Sequence, residues 1–172
     1  FSSKLNYQRP SNLVAVTGTN GKSSIANFYY QILKINKIKV SSIGTLGTEG
    51  IKIKKKISNT TYDPIMLNNI LKILKKKRID NVILEASSHG LKQHRLDGLQ
   101  FNLGIFTNLS RDHLDYHKTY KDYFESKLIL FRKLMKENSN IIFDEELIIA
   151  KKIKKIIKKN NFKPLSIGYA NS

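Results

Sequence analysis

Cysteine is absent from this chain of 172 residues, which excludes disulfide bonds and thiolate metal sites. Long apolar runs are absent as well, and the longest fall far short of the roughly 20 residues that a membrane helix needs. No basic segment followed by an apolar one opens the chain, as a secretory signal would. These absences predict a cytoplasmic protein without membrane insertion.

Acidic residues are few, since 13 Asp and Glu stand against 31 Lys and Arg for a formal net charge of +18. Such an excess could serve nucleic-acid binding or attract an anionic substrate. The lysines between 151 and 159, however, alternate with Ile153, Ile156 and Ile157 at helical spacing. We interpret them as a solvated helix face with the isoleucines turned inward, and we predict no nucleic-acid partner.

Short apolar runs alternate with helical patterns along a chain whose 40% hydrophobic residues can form one domain-sized core. Predicted strands cover 12–17, 38–43, 50–57, 81–84, 103–106, 140–143 and 164–167. Predicted helices cover 23–33, 120–136 and 145–159. Another begins at Asp63-Pro64, and its predicted buried stripe is Ile65, Leu67, Ile70, Leu71 and Leu74. This alternation predicts an α/β fold with a mostly parallel sheet flanked by helices.

The segment from Gly18 to Ser23 (GTNGKS) lies between a predicted strand and a predicted helix. Its glycines allow backbone N–H groups to turn toward an anion, and the helix N-terminus adds partial positive charge. Lys22 can reach nucleotide phosphates, and the Ser23 hydroxyl can ligate Mg²⁺. The generic P-loop has a glycine where this chain has Val16, so the loop is a shortened variant. It predicts a P-loop-type nucleotide-binding domain, with a plain turn as the alternative.

Polar groups cluster after two further strands. Glu85 ends the apolar run 82–84, at the position where open α/β sheets bind ligands, and its carboxylate could hold a phosphate-bound metal or cap the next turn. His113 follows the next strand among carboxylates, which favours metal ligation over a structural role. The loop after Glu85 is dense in hydrogen-bonding side chains and suits a polyanionic or sugar-bearing substrate: Ser87, Ser88, His89, Gln93, His94 and Arg95.

Together these clusters resemble the Mur ligase family, in particular the UDP-N-acetylmuramoyl-tripeptide synthetases. The matching segments follow the family's order at 16–24, 59–61, 85–91, 93–98 and 106–117. The resemblance implies that 12–172 is the family's central ATP-binding domain, incomplete here, and that 1–11 ends an N-terminal region or linker. It also implies a monomer with separate N-terminal and C-terminal domains for the uridine nucleotide and the incoming amino acid.

The resemblance further implies a role for each matching residue. Gly18, Thr19, Asn20, Gly21, Lys22, Ser23 and Ser24 would bind ATP. Ser23, Glu85, His113 and Lys127 would ligate Mg²⁺, with Lys127 as a carbamylated lysine, and Lys22, Lys127 and His113 would be catalytic. Asn59, Thr60, Thr61, Ser87, Gln93 and Arg95 would contact a UDP-muramyl dipeptide. From its residue type alone, Lys127 would instead be a solvated helix lysine.

The implied reaction is ATP-dependent amide formation in peptidoglycan synthesis. It would add meso-diaminopimelate or L-lysine to UDP-N-acetylmuramoyl-L-alanyl-D-glutamate through an acyl phosphate. One position departs from the family pattern, because Tyr62 follows Thr60-Thr61 where the family usually has Pro or Gly. Two alternatives stay open: another superfamily ligase such as a folylpolyglutamate synthetase, and a basic nucleic-acid-binding P-loop module.

Overall fold

The computed structural model describes residues 9–53, 59–112 and 115–168. The strands are β1 (Asn12–Thr17), β2 (Val40–Gly44), β3 (Gly47–Glu49), β4 (Asn81–Glu85), β5 (Phe101–Phe106), β6 (Met135–Asp144) and β7 (Lys163–Ile167). The helices are α1 (Lys22–Ile35), α2 (Pro64–Lys76), α3 (Ser88–Lys92), α4 (Tyr120–Lys133) and α5 (Ala150–Lys159). Within these ranges, no helix is both long and apolar enough to cross a lipid bilayer.

The strands form one sheet in the order β3-β2-β4-β1-β5-β6-β7. Every neighbouring pair is parallel except β2 and β3, which are antiparallel. Val16 of the central strand β1 is in register with Glu85 of β4 on one side and Ile105 of β5 on the other. The carboxyl ends of these three strands therefore meet at one edge, where the loops with the predicted site residues begin.

Helices cover both faces of the sheet, as predicted. Along β1, Leu13 and Ala15 join the larger core cluster, which includes side chains from α2, α3, α4 and α5. The alternate residues Val14 and Val16 join a second cluster with Ala26 of α1. Side chains of a strand alternate between its two faces, so the continuous apolar run of β1 fits a strand buried on both sides. The predicted α/β fold with a mostly parallel sheet is confirmed.

Helix α2 begins where the sequence predicts, but one of its core assignments is wrong. The Asp63 carboxylate accepts a hydrogen bond of 2.9 Å from the Met66 N–H, and Pro64 takes the first helical position. Leu67, Ile70, Leu71 and Leu74 are buried as expected, whereas Ile65 is 77% exposed. Two residues along a helix turn through about 200°, which places Ile65 opposite Leu67.

The strand predicted over 50–57 is wrong where the structure describes it. The antiparallel partner of β2 is instead β3, at Gly47–Glu49, while residues 50–53 lie outside any strand and 54–58 lie outside the described residues. Gly50 has a φ of +89°, and a Cβ there would lie 2.5 Å from the Val40 carbonyl oxygen. This backbone conformation is incompatible with a continuing strand.

The helices also differ from the prediction in their bounds and number. The helix expected over 120–136 ends at Lys133, because Met135 already pairs with Phe101 in the sheet. The helix expected from 145 begins at Ala150, after a turn in which the Asp144 carboxylate accepts a hydrogen bond from the Glu146 N–H. The polar loop after Glu85 contains the five-residue helix α3.

Candidate active site

The phosphate loop, residues 18–24, is anchored to the end of β5. A Cβ on Gly18, whose φ is +146°, would lie 1.8 Å from the Thr107 Oγ1, so a larger residue does not fit. The Thr19 N–H donates to the Asn108 carbonyl oxygen at 3.0 Å, and the Asn20 N–H donates to the Asn108 Oδ1 at 2.9 Å. The glycine and the two hydrogen bonds hold the loop in one conformation over the carboxyl edge of the sheet.

The N-terminus of α1 forms the last part of this loop. Gly21 occupies the N-cap with a φ of +81°, and no side chain of the described residues caps the helix there. The hydrogen-bond ladder begins with the Ile25 N–H donating to the Gly21 carbonyl oxygen at 2.9 Å. The N–H groups of residues 22–24 precede that ladder, and the helix dipole adds positive potential. This arrangement suits a phosphate group.

Two lysines converge on one backbone carbonyl of the loop. The Gly18 oxygen accepts hydrogen bonds from the Lys22 Nζ at 3.0 Å and from the Lys127 Nζ at 2.7 Å. Burial lowers the pKa of Lys22. Burial and the nearby charge of Lys22 together lower the pKa of Lys127 to about 7. Because the Lys127 side chain is only 1% exposed, its interpretation as a solvated helix lysine is wrong.

Glu85 is a buried carboxylate with donors on both oxygens. Its Oε2 accepts from the Ser23 hydroxyl at 2.9 Å and from the Thr45 hydroxyl at 3.2 Å, and its Oε1 accepts from the Thr45 N–H at 2.9 Å. A Cβ on Gly44 would lie 2.1 Å from Oε1, so a glycine makes room for the carboxylate. Sequence reasoning missed Gly44 and Thr45, although the end of β2 at the same sheet edge was a usable signal.

The pair of Ser23 and Glu85 fits a magnesium ion bound to nucleotide phosphates. Mg²⁺ prefers hard oxygen ligands and is commonly held by one or two protein groups, with phosphates and water completing the octahedron. Across 9–53, 59–112 and 115–168, no group of three or more His, Cys, Asp or Glu side chains could hold a metal by itself. His113, the other predicted ligand, lies outside the described residues.

A cavity of about 280 Å³ lies beside the phosphate loop. Its lining includes all the predicted substrate contacts, which we call the substrate wall: Asn59, Thr60, Thr61, Ser87, Gln93 and Arg95. Lys22 and Lys127 also line the cavity. Ser88 and His89 line it too; both belong to the polar loop predicted to suit a substrate, whereas the roles implied by the family resemblance omit them. The structure thus brings Lys22 of the predicted nucleotide site and the predicted substrate contacts to one space.

Hydrogen bonds within the substrate wall hold its segments together. The Thr61 hydroxyl donates to the Glu85 carbonyl oxygen at 2.9 Å, and its oxygen accepts from the Ser87 N–H at 3.0 Å. The Arg95 Nη1 donates to the Thr61 carbonyl oxygen at 2.7 Å. Ser87 caps α3 by accepting from the Gly90 N–H at 3.0 Å. A side chain at Gly90 would meet the Thr61 Cβ at 2.5 Å, so the glycine permits this close approach.

Tyr62, the departure from the family pattern, is buried rather than placed in the cavity. Its side chain is 1% exposed and belongs to the larger core cluster. Its hydroxyl lies 3.2 Å from the Thr48 Oγ1 on β3, and burial raises the pKa of the phenol. Tyr62 therefore anchors the segment with Thr60 and Thr61 to the β2–β3 hairpin. The Thr45 hydroxyl, 3.0 Å from the Thr60 Oγ1, makes a second link.

Comparison with known proteins agrees with this geometry. The family model described as the Mur ligase middle domain matches residues 16–172. A UDP-N-acetylmuramoyl-L-alanyl-D-glutamate--2,6-diaminopimelate ligase of Rickettsia bellii is 39% identical over 165 residues, covering 94% of this chain and 35% of that protein. A relative with the same name from Leptospira interrogans is 46% identical over 125 residues, covering 71% of this chain and 24% of that protein. The chain spans about a quarter to a third of the length of these relatives.

Solved structures give the same grouping. A solved structure of a UDP-N-acetylmuramoyl-L-alanyl-D-glutamate--2,6-diaminopimelate ligase superposes with a TM-score of 0.81 at 32% identity, covering 95% of this chain and 33% of that one. Escherichia coli FolC, solved with DHPP and ADP, has a TM-score of 0.71 at 17% identity, covering 99% of this chain and 47% of its own, and shares the fold alone. The family match over nearly the whole chain and the strong sequence similarity to named ligases place this chain in the Mur ligase family, as its middle domain.

Proposed function

We propose that the full-length protein with this chain is an ATP-dependent ligase that adds meso-diaminopimelate to UDP-N-acetylmuramoyl-L-alanyl-D-glutamate. One observation carries the proposal: a single cavity joins Lys22 of the phosphate loop and the buried Lys127 to the whole substrate wall. The relatives named as diaminopimelate ligases support this substrate and favour diaminopimelate over L-lysine. The likeness to FolC concerns the fold alone and gives no independent support to a folate substrate.

The proposed chemistry needs no protein nucleophile. The terminal carboxylate of the muramyl dipeptide attacks the γ-phosphorus of ATP, which releases ADP and leaves an acyl phosphate. The amine of the amino acid then attacks the acyl carbon, loses a proton and expels inorganic phosphate. We place the ATP phosphates at the N-terminus of α1, where Lys22 neutralises charge on the transferring phosphoryl group. The contribution of the protein is positioning and electrostatic stabilisation.

We further propose that Ser23 and Glu85 hold Mg²⁺, with His113 at a second ion. When bound, Mg²⁺ supplies positive charge that stabilises the phosphates. Lys127 is proposed to react with CO₂, losing a proton to become a carbamate with anionic oxygen atoms suited to Mg²⁺. A neutral amine is needed for that reaction, and burial in the described cavity favours it.

The positive charge of the chain is compatible with a solvated surface and does not require a nucleic-acid-binding module. On α5, Ile153, Ile156 and Ile157 are buried while the intervening lysines are exposed, as the solvated-face interpretation expects. Lack of nucleic-acid binding and a monomeric state stay predictions. Salt should weaken any attraction that this charge exerts on the two polyphosphate substrates.

The direct test of the proposed function is a steady-state assay of the full-length protein with purified substrates. ADP release should require both UDP-N-acetylmuramoyl-L-alanyl-D-glutamate and meso-diaminopimelate, and the product mass should equal their condensation with loss of water. L-lysine should support much less turnover. Turnover with a folate and glutamate, but none with the muramyl dipeptide, would assign the protein to the folylpolyglutamate class instead.

Gly44→Ala should weaken Mg²⁺ binding without replacing a proposed ligand. The added Cβ would lie 2.1 Å from the Glu85 Oε1, so the carboxylate must move away from Ser23 and Thr45. We expect the Mg²⁺ concentration for half-maximal activity to rise by about 10-fold or more, the usual effect of disturbing groups that orient metal ligands. Glu49→Ala, at an exposed position of the same hairpin, is the control. Identical Mg²⁺ titrations for Gly44→Ala and wild type would contradict the assignment of Glu85.

Arg95→Ala should raise the KM for the muramyl dipeptide by about 10-fold, while the KM for ATP changes by less than about 2-fold. The guanidinium lines the cavity and donates to the Thr61 carbonyl oxygen at 2.7 Å, so its loss affects the substrate wall on two counts. The phosphate loop is anchored elsewhere, by Asn108. Arg132→Ala, which removes an exposed arginine paired with Glu125, is the matched control. Equal increases in both KM values would indicate a general structural role for Arg95.

A further inference from the structure

His117 is a buried titratable residue that the proposed function does not use. Its side chain is 0% exposed. The Nε2 lies 3.0 Å from the Ser88 Oγ, and the Nδ1 lies 3.4 Å from the Ser126 Oγ and 3.5 Å from the Asp122 Oδ2. Ser88 is the first residue of α3, whereas Asp122 and Ser126 belong to α4. The imidazole thus bridges the two helices.

The hydrogen-bond partners of His117 indicate which ring nitrogen carries the proton when the imidazole is neutral. The Asp122 carboxylate only accepts, and the Ser126 hydroxyl already donates to the Asp122 carbonyl oxygen at 2.7 Å. The proton of a neutral imidazole therefore belongs on Nδ1, and Nε2 accepts from the Ser88 hydroxyl. Burial lowers the pKa of His117, against the opposing charge of Asp122. A neutral ring can accept from Ser88 at Nε2 and donate from Nδ1 toward Ser126 or Asp122, so it can serve as a structural bridge.

The two helices that His117 joins both supply residues to the lining of the cavity. Helix α3 and its cap supply three consecutive lining residues, Ser87, Ser88 and His89. Helix α4 supplies Lys127, next in the chain to Ser126. A helix of five residues is too short to be stable by itself, so its placement depends on tertiary contacts.

We propose that His117 is a positioning residue that holds the substrate wall at α3 in register with Lys127 on α4. The inference rests on the proposed function in one respect, namely that the muramyl dipeptide occupies this cavity. One further contact runs between the two helices, because Lys92 of α3 donates to the Asp122 carboxylate. The His89 ring packs against Tyr116, in the loop before α4, and edge-on against His117, with centroids 4.0 and 5.3 Å apart. The hydrogen bond with Ser88 is the contribution of His117 at the first residue of α3.

The set of Asp122, His117 and Ser88 has the composition of a hydrolase triad, but its geometry favours positioning. Ser88 is 2% exposed, so a substrate carbonyl has little access to its hydroxyl. The separation of 3.5 Å between the Nδ1 and Asp122 exceeds that of a good hydrogen bond, and Lys92 shares the same carboxylate oxygen. A nucleophilic serine requires a tightly oriented base, which this arrangement does not provide.

The test compares variants of the full-length protein in steady-state kinetics. His117→Phe keeps a ring but removes both nitrogen contacts, and it should raise the KM for the muramyl dipeptide by about 10-fold with the KM for ATP within about 2-fold. Ser88→Ala should have the same effect. The double variant should be no worse than either single variant, because each single change already breaks the same link between His117 and Ser88. His117→Gln should recover part of the loss, since its amide oxygen can accept from Ser88.

Equal increases in both KM values, or additive effects in the double variant, would overturn the proposal. A wild-type protein that does not use the muramyl dipeptide would refute the proposed function, and hydrogen exchange would still test the bridge. In that measurement His117→Phe should speed exchange of amides at 88–92 while leaving those of α1 unchanged. Unchanged exchange at 88–92 would overturn the bridge as well.

Discussion

Lys127→Ala should lower the ligase activity of the full-length protein by about 10- to 100-fold, and added acetate or formate should restore part of it. The expectation follows from the proposed carbamate, which turns a cation into an anionic oxygen ligand. Removing the side chain removes that ligand and leaves space beside the Gly18 carbonyl oxygen, which now lies 2.7 Å from the Lys127 Nζ. We expect a short carboxylate to enter this space and to replace the missing oxygen atoms.

A plain ammonium at Lys127 leads to a different result. Its loss would remove a positive charge, and a carboxylate could not replace that charge. The assay is therefore run with and without acetate at constant ionic strength, together with a mass measurement on the native protein. Lys133→Ala, an exposed lysine near the end of the same helix, is the matched control. Full activity of Lys127→Ala, or an unmodified Lys127 in an active crystal form, would rule out the metal-bridging role.

Lys22→Ala should lower turnover by about 100- to 1,000-fold while the fold stays intact. Lys22 is proposed to stabilise charge on the transferring phosphoryl group. In the structure its Nζ donates to the carbonyl oxygens of Gly18 and Thr19, at 3.0 and 2.8 Å, and Lys22 belongs to neither core cluster. Circular dichroism and the thermal midpoint should therefore match those of wild type.

The two lysine variants should also differ from each other. Acetate should not rescue Lys22→Ala, because the group that is lost there is a cation. Lys34→Ala, at an exposed position in the last turn of α1, should behave as wild type. Wild-type turnover in Lys22→Ala would remove the basis for assigning the phosphate loop.

The fold was predictable because local patterns and tertiary burial agree. Strands β1 and β4 are continuous apolar runs, and both are buried on each face of the sheet. The error at Ile65 came from including a residue near Leu67 in sequence without following the helical angle. The misplaced strand at 50–57 came from its alternating pattern of Ile and Lys, which outweighed the conformational signal of Gly50.

The burial of Lys127 was also open to prediction, since helical spacing places it among apolar neighbours. Tyr123, Phe124 and Phe131 lie four residues before, three before and four after it, and all are buried. The interpretation of Lys127 as a solvated lysine rested on its residue type and did not take this periodicity into account. The contacts of Thr45 with Glu85 and of Ser88 with His117 are different, because their partners lie 40 and 29 residues away in sequence. No spacing rule within one element indicates such pairs.

The Gly18 and Thr19 carbonyl oxygens, which accept from the Lys22 Nζ, would be internal competitors for the proposed nucleotide. A phosphate oxygen that engages Lys22 must displace a backbone acceptor, so binding would exchange hydrogen bonds and not simply add them. Lys22 would then contribute only the difference between its two kinds of acceptor. That difference grows with the negative charge of the incoming group, since hydrogen bonds between ionised partners are the stronger ones. The loop should therefore discriminate steeply between ligands by charge, with only moderate affinity for any of them.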